Sequence, residues 1–224
     1  MEGTPPRRSP QDVLREELAG LNGRLFLIGS ILVVWLLDTL LSHRLVDSGA
    51  VNGTPRQAIS LFEEVSTVLF VVISVALIVA VVMGRRRAFM PLAITYLSFS
   101  ILQVVVNVLS LVGSAQMQQG VGLAGLWDVA AVYAMSVLVF TFVYATMDIY
   151  VPGGAFLWPA RDGEEPPVPN FIDSLFISLN TNATYGPTTE AVMSRRVKVI
   201  MSIQVVMALL MLTVLIARSV AATT

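Results

Sequence analysis

The sequence predicts an all-α membrane protein, and two observations carry this prediction. Of the 224 residues, 55% are hydrophobic and 13% are charged, and the mean hydropathy is +0.77. An average soluble domain has about a quarter of its residues charged. The apolar residues also form blocks long enough to cross a hydrocarbon core of about 30 Å. We therefore expect about five transmembrane helices, together with a re-entrant pore helix and a filter-like loop.

The composition also excludes several classes of function. The chain has no cysteine and a single histidine, His43, so disulfides, cysteine metal sites and histidine metal clusters cannot form. The net charge of −1 gives no basic field that would attract nucleic acid. We expect no enzymatic activity, no cofactor and no nucleic-acid partner. The expected surroundings are a lipid bilayer.

The chain divides into three parts along its length. Residues 1–20 form a polar N-terminal tail, residues 21–125 hold the N-terminal transmembrane helices, and residues 126–224 form a C-terminal module. The tail has no apolar region that leads to a small-residue cleavage site, so we expect no cleaved signal peptide. The apolar blocks run from Leu25 to Leu41, Val65 to Met83, Ala88 to Val112, Leu126 to Val151 and Val199 to Ala217.

Two of the N-terminal blocks contain strongly polar side chains. Asp38 lies within the first block, and an acid is costly in lipid unless it faces protein or water. It is either an ion or proton site or the partner of a neighbouring hydroxyl or amide. In the third block, Gln103 and Asn107 are four residues apart. They share one helical face and can hydrogen-bond to a neighbouring helix.

A short amphipathic segment precedes the last apolar block. It runs from Phe171 to Leu179, too short to cross a membrane, and Asn170 or Asp173 can begin a helix there. One helical stripe contains Phe171, Leu175, Ser178 and Leu179. The segment leads into a polar strip, Thr181–Gly186. A half-helix, a polar strip and a spanning helix in this order make a pore loop, whose non-helical backbone must line water or be buried in protein.

The same residues resemble a known family. Residues 173–186, DSLFISLNTNATYG, and the apolar helix after them are similar to the pore module of the bacterial potassium-channel superfamily, and the resemblance covers residues 126–224. The matching residues are Asp173, Leu175, Phe176, Ser178, Thr181, Tyr185, Gly186, Ala217 and Arg218, and the Pro152–Phe156 segment is also similar. The resemblance implies an outer helix, a pore helix, a filter loop and an inner helix, assembled as a homotetramer.

The filter itself departs from the family pattern. Aligned on Tyr185 and Gly186, the family's T-V-G is replaced by Asn182, Ala183 and Thr184. A residue other than glycine is strained at left-handed angles, so we expect Thr184 to adopt another backbone geometry. The side chains of Asn182 and Thr184 can then act as ligands in a wider, less potassium-selective filter. Equally, the filter can be collapsed.

These features predict a cation channel of the plasma membrane, multi-pass and homotetrameric, that conducts K⁺ or Na⁺. The filter candidates are Thr181, Asn182, Ala183, Thr184, Tyr185 and Gly186. In the last helix, Gln204 is a pore-lining candidate because it is the strongly polar residue of that span. A non-conducting membrane scaffold or sensor that retains the pore-domain fold is the alternative.

The orientation in the membrane stays open. Arginine clusters at 85–87 and 195–196 favour the cytoplasmic side under the positive-inside rule. With five spans, that rule would bring the polar strip in from the cytoplasm, whereas the resemblance implies an extracellular filter.

Overall fold

The computed structural model describes residues 20–47, 55–83, 86–116, 125–159, 169–186 and 190–221. The N-terminal tail lies outside these ranges, apart from residue 20. Within them the chain forms six helices and one two-stranded sheet. The elements are α1 (Leu21–Asp47), α2 (Pro55–Val82), α3 (Arg86–Gln116), α4 (Leu126–Tyr150), β1 (Phe156–Leu157), α5 (Phe171–Asn182), β2 (Ala191–Val192) and α6 (Arg195–Ala221).

Three helices are long and apolar enough to cross a membrane: Pro91–Val112 in α3, Leu126–Tyr150 in α4 and Arg195–Ala217 in α6. Shorter apolar stretches lie in α1, at Leu27–Leu41, and in α2, at Val68–Val82. The predicted all-α fold is therefore confirmed, and three of its helices could span a membrane, whereas five spans stay a prediction. The short antiparallel sheet of β1 and β2 was not predicted.

Helix α4 is the centre of the bundle. It packs against α1, α3, α5 and α6, and 67% of its span is buried, compared with 39% of the span in α3 and 33% of that in α6. Helix α3 also packs against α6. Helices from both sides of residue 125 thus contribute to one hydrophobic core, and α4 forms the wall against which α5 is placed.

A carboxylate at the end of α4 fixes the turn that follows. Asp148 Oδ1 accepts hydrogen bonds from the backbone N–H groups of Ala155, at 2.7 Å, and Phe156, at 3.1 Å. The indole of Trp158 donates to Asp148 Oδ2 at 3.4 Å. Gly154 has a φ of +87°, and a Cβ there would lie 3.2 Å from Asp148 Oδ1. Only glycine fits both the angle and the close approach.

Burial does not follow hydropathy at every position. Tyr144 is fully buried because its hydroxyl bonds to a polar group inside the bundle. In α5, Leu179 is exposed, whereas the buried residues are Ser174, Ile177, Ser178, Thr181 and Asn182. This buried face is largely polar because α4 and α6 present polar partners to it. The exposed aromatics Trp127 and Tyr150 at the two ends of α4 are compatible with interfacial positions.

Candidate functional site

Helix α5 begins with a reciprocal pair of hydrogen bonds. The N–H of Asp173 donates to Asn170 Oδ1 at 3.1 Å, and the N–H of Asn170 donates to Asp173 Oδ2 at 2.7 Å. This capping box satisfies backbone donors that have no partner within the helix. The predicted roles of Asn170 and Asp173 in starting the helix are confirmed.

The helix then runs antiparallel to α4 and passes its midpoint. The ring of Phe171, at the start of α5, lies 5.2 Å from the ring of Phe142. At the other end, Asn182 Nδ2 lies 3.5 Å from the carbonyl oxygen of Tyr133. With a rise of 1.5 Å per residue, Tyr133 is about 10 Å from the Leu126 end of α4. Helix α5 therefore penetrates well over half the length of its neighbour.

The chain returns to the end of the bundle from which α5 started. Strands β1 and β2, which flank α5 in sequence, pair antiparallel with Phe156 opposite Val192. The N–H of Met193 also donates to the carbonyl of Ala155 at 2.9 Å. The strands lie beside the Tyr150 end of α4, where Asp148 holds β1. Helix α5 and its loop thus form a re-entrant element between α4 and α6.

A buried polar network holds α5 to its neighbours, and Gln204 of α6 is its centre. The Gln204 side chain is 0% exposed. Its Nε2 lies 3.1 Å from both the carbonyl oxygen and the hydroxyl of Ser178, and 3.0 Å from Asn182 Oδ1. Its Oε1 accepts a short hydrogen bond from the hydroxyl of Tyr144. One amide therefore joins α4, α5 and α6.

Helix α4 supplies the rest of the network. The hydroxyl of Ser136 donates to Asn182 Oδ1 at 3.3 Å. The hydroxyl of Ser178 donates to the carbonyl of Val137 at 2.8 Å. Satisfied buried networks of this kind favour a single packing arrangement, since any displacement leaves polar groups without partners. The last two turns of α5 are therefore held in a fixed position against α4.

The tip of α5 is closed by a Schellman motif. The N–H of Tyr185 donates to the carbonyl of Asn180 at 2.9 Å, and the N–H of Thr184 donates to that of Thr181 at 3.0 Å. Gly186 N also lies 3.2 Å from the Asn180 oxygen. Thr184 occupies the left-handed position, with a φ of 66°, where glycine is usual. The expectation that Thr184 avoids this geometry was wrong, because helix closure requires it.

This closure changes the chemistry expected at the tip. The last carbonyls of a helix have no partner within it, but those of Leu179, Asn180 and Thr181 accept hydrogen bonds from the backbone that follows. The helix dipole is unaffected, so the tip keeps a partial negative potential.

The six filter candidates separate into two groups. Thr181 and Asn182 are the last helical residues, and both are buried; the Thr181 hydroxyl donates to the carbonyl of Ile177 at 2.8 Å. Ala183, Thr184 and Tyr185 are exposed, the last to 80%, and Gly186 is half-buried. Only 183–186 are thus placed to meet solvent or another molecule.

Gln204 also differs from its expected position. A pore-lining residue would be accessible on one chain, whereas this amide is enclosed by partners from α4 and α5. The sequence did not single out Ser136 and Tyr144 as those partners. A hydroxyl in an apolar helix is a weak indication of contact with another helix, since it can bond to a backbone carbonyl of its own helix.

No protein-family model matches the chain, and searches of curated proteins and of solved structures find no similar protein.

Proposed function

We propose that this chain is one subunit of a cation-conducting, channel-like assembly of the plasma membrane. In this assembly the tips of several α5 helices surround a water-filled passage. The observation that carries the proposal is the exposed non-helical tip, residues 183–186, which lies beyond the midpoint of the membrane-length helix α4. Backbone of this kind is not stable against lipid, so water or another protein surface must cover it.

The electrostatics of the tip favour a cation. The C-terminus of α5 points its negative dipole end toward the tip, and the hydroxyls of Thr184 and Tyr185 are exposed beside it. Because the carbonyls of Asn180 and Thr181 are already bonded, side-chain hydroxyls and water complete the coordination of the ion. We expect weak discrimination between K⁺ and Na⁺, since Asn182, Ala183 and Thr184 stand where the family has the T-V-G whose carbonyls replace the hydration shell.

The outer surface of α5 supports an assembly of several copies. Ile172, Phe176 and Leu179 are exposed and share one face by their helical spacing. This apolar stripe leads to the polar tip, so copies that pack through it would bring their tips together around a common axis. One chain supplies one re-entrant element, and the closed ring that we propose is a homotetramer.

A non-conducting scaffold or sensor with the same fold is the second candidate. The Schellman closure favours it, because the helix-end carbonyls that would bind a dehydrated ion are occupied by amides of 184–186. In this function the tips would pack against one another without water between them.

Recordings from purified protein in planar bilayers distinguish the two functions. Ala183 is exposed and has a φ of −80°, so a longer side chain fits there without backbone strain. We expect Ala183→Lys to abolish cation current and Ala183→Glu to retain it. The matched control is Met193→Lys, which adds the same charge at an exposed position beside the β1–β2 sheet and should leave the current intact.

The oligomeric state is measured on the same preparations by native mass spectrometry. A verified tetramer without any cation current would favour the non-conducting scaffold. A current that both Ala183 variants leave unchanged would show that ions do not pass the α5 tip. A monomer would exclude both versions of the ring.

A further inference from the structure

A second polar site lies between α1 and α3, and none of its residues belongs to the α5 network. Asp38 of α1 is 6% exposed. Its Oδ2 accepts a hydrogen bond from Gln103 Nε2 at 2.8 Å, and its Oδ1 accepts one from Asn107 Nδ2 at 3.3 Å. The prediction that Gln103 and Asn107 act together toward a neighbouring helix is confirmed. Each carboxylate oxygen thus has an amide donor.

The site lies deep in the bundle. Asn107 Nδ2 also contacts the sulfur of Met135 at 3.8 Å, and Met135 lies about 14 Å from the Leu126 end of α4 by helical rise. Asn107 belongs to the membrane-length part of α3, Pro91–Val112. A carboxyl group at this depth is a functional site by default, because its ionised form is costly there.

One polar atom at this site lacks a partner. In the part of the chain that the structure describes, Gln103 Oε1 is buried without a hydrogen-bond partner, and the hydroxyls of Tyr96 and Ser100 are buried close to one another. All three belong to the face of α3 that carries Asn107, at spacings of three and four residues. Tyr96 is close enough to Asp38 for their charges to interact. Buried orphans of this kind require an explanation.

The described surroundings contain few other ionisable groups. From α3, the titratable group that faces Asp38 is Tyr96. Helix α4 presents Met135, through its contact with Asn107. On α2, the nearby polar group is the buried hydroxyl of Ser74, one turn from Phe70, whose ring stacks on Tyr96.

We propose that Asp38 and Gln103 form an exchangeable proton-binding site within the membrane. Burial in the bundle disfavours the ionised form of a carboxyl group, whereas hydrogen bonds donated to the carboxylate favour it. Asp38 is buried and accepts two such bonds from amides, so the two effects oppose each other and both protonation states are accessible.

The unpartnered oxygen of Gln103 explains how both forms are accommodated. In the ionised form the amide presents Nε2 to Asp38. When a proton from solvent adds to Oδ2, the carboxyl becomes a donor and its charge changes from −1 to zero. Rotation of the Gln103 amide by half a turn then places Oε1 to accept this O–H, while Asn107 continues to donate to Oδ1. No other bond forms or breaks.

The same geometry favours a proton over a metal cation. Both amides direct N–H groups at the carboxylate, and these positive dipoles occupy the positions where a metal ion would bind. The site is independent of whether the assembly conducts, because none of its residues belongs to the α5 network.

Infrared difference spectroscopy of the reconstituted full-length protein at acid and alkaline pH tests the proposal. We expect a carbonyl stretch of a protonated carboxylic acid that appears as the pH falls and is absent in Asp38→Asn. The matched control is Asp128→Asn. Asp128 is equally buried, at 5% exposure, but bonds to the N–H of Gly125 as a helix cap, so this variant should retain the band.

Gln103→Leu is the second variant, and it tests the proposal even if the Asp38→Asn variant does not fold. Removal of the amide acceptor should move the same carbonyl band to higher frequency, because the O–H loses its hydrogen bond. Absence of any pH-dependent carboxyl band, or a band that Asp38→Asn and Gln103→Leu leave unchanged, would overturn the proposal. A band that responds to Na⁺ or K⁺ at constant pH would overturn it in favour of a metal-cation site.

Discussion

Replacement of Gln204 by leucine is the sharpest test of how α5 is held in place. Leucine has a similar volume but cannot bond to Ser178, Asn182 or Tyr144, all of which bond to Gln204 in the structure. The packing is therefore preserved while the connection between the three helices is lost.

The expected loss of stability depends on which buried groups lose their hydrogen-bond partners. The fully buried hydroxyl of Tyr144 loses Gln204 Oε1 as its acceptor, and a buried group that loses its hydrogen bond costs about 1–3 kcal/mol. Asn182 Oδ1 keeps the hydroxyl of Ser136, so its loss is small. Hydrogen bonds between membrane helices contribute about 0.6 kcal/mol on average. We expect Gln204→Leu to lower the free energy of unfolding by about 2 kcal/mol.

The assay is reversible unfolding in mixed micelles by SDS titration, followed by far-UV circular dichroism. Tyr144→Phe removes the hydroxyl that Gln204→Leu leaves without its acceptor. The variant that carries both substitutions should therefore lose about 1 kcal/mol less unfolding free energy than the two single variants lose in sum. Thr213→Val is the control on the same helix, because the exposed Thr213 hydroxyl bonds only to the carbonyl of Leu209 at 2.8 Å. A loss below about 0.5 kcal/mol for Gln204→Leu, with additive effects in the cycle, would refute this account of the network.

Three further substitutions are checked by thermal unfolding of the purified protein in detergent. Thr184→Gly should raise the free energy of unfolding by about 1 kcal/mol, because glycine adopts the left-handed angle without strain. If the Thr184→Gly variant is no more stable than the Thr184→Ala variant, the Schellman assignment is contradicted. Gly154→Ala should destabilise by at least about 2 kcal/mol, from the left-handed angle and the approach to Asp148, and Gly153→Ala, whose added Cβ meets open space, should cost less. Asn170→Ala should cost about 1 kcal/mol through loss of the helix cap, and Asn170→Asp should largely preserve it.

The sequence was informative where a physical pattern is local. The capping residues of α5, the end of α4 before Gly153 and Gly154, and the shared face of Gln103 and Asn107 follow from helix geometry over a few residues. The re-entrant character of α5 follows from its length, which is too short for a span. These features required no knowledge of neighbouring helices.

Long-range pairing could not be predicted in the same way. Whether Gln204 faces a cavity or an adjacent helix depends on Tyr144, which lies sixty residues earlier. The conformation of Thr184 depends on whether α5 ends at Leu179 or continues to Asn182. The preference of threonine for negative φ is only about 1–2 kcal/mol, and the two hydrogen bonds of the Schellman closure together outweigh it.

The two polar sites meet on adjacent residues of α4. Asn107, a partner of Asp38, contacts Met135, and Ser136 donates to Asn182 at the end of α5. The contact between Asn107 and Met135 is a weak amide–sulfur interaction at 3.8 Å. The hydrogen bonds from the two amides to Asp38 are shorter, at 2.8 and 3.3 Å. Through the amide–sulfur contact, a change at Asp38 reaches α5 only if α4 itself shifts. Since α4 packs against α1, α3, α5 and α6, such a shift would disturb all four interfaces, so we expect coupling of the two sites through α4 to be weak.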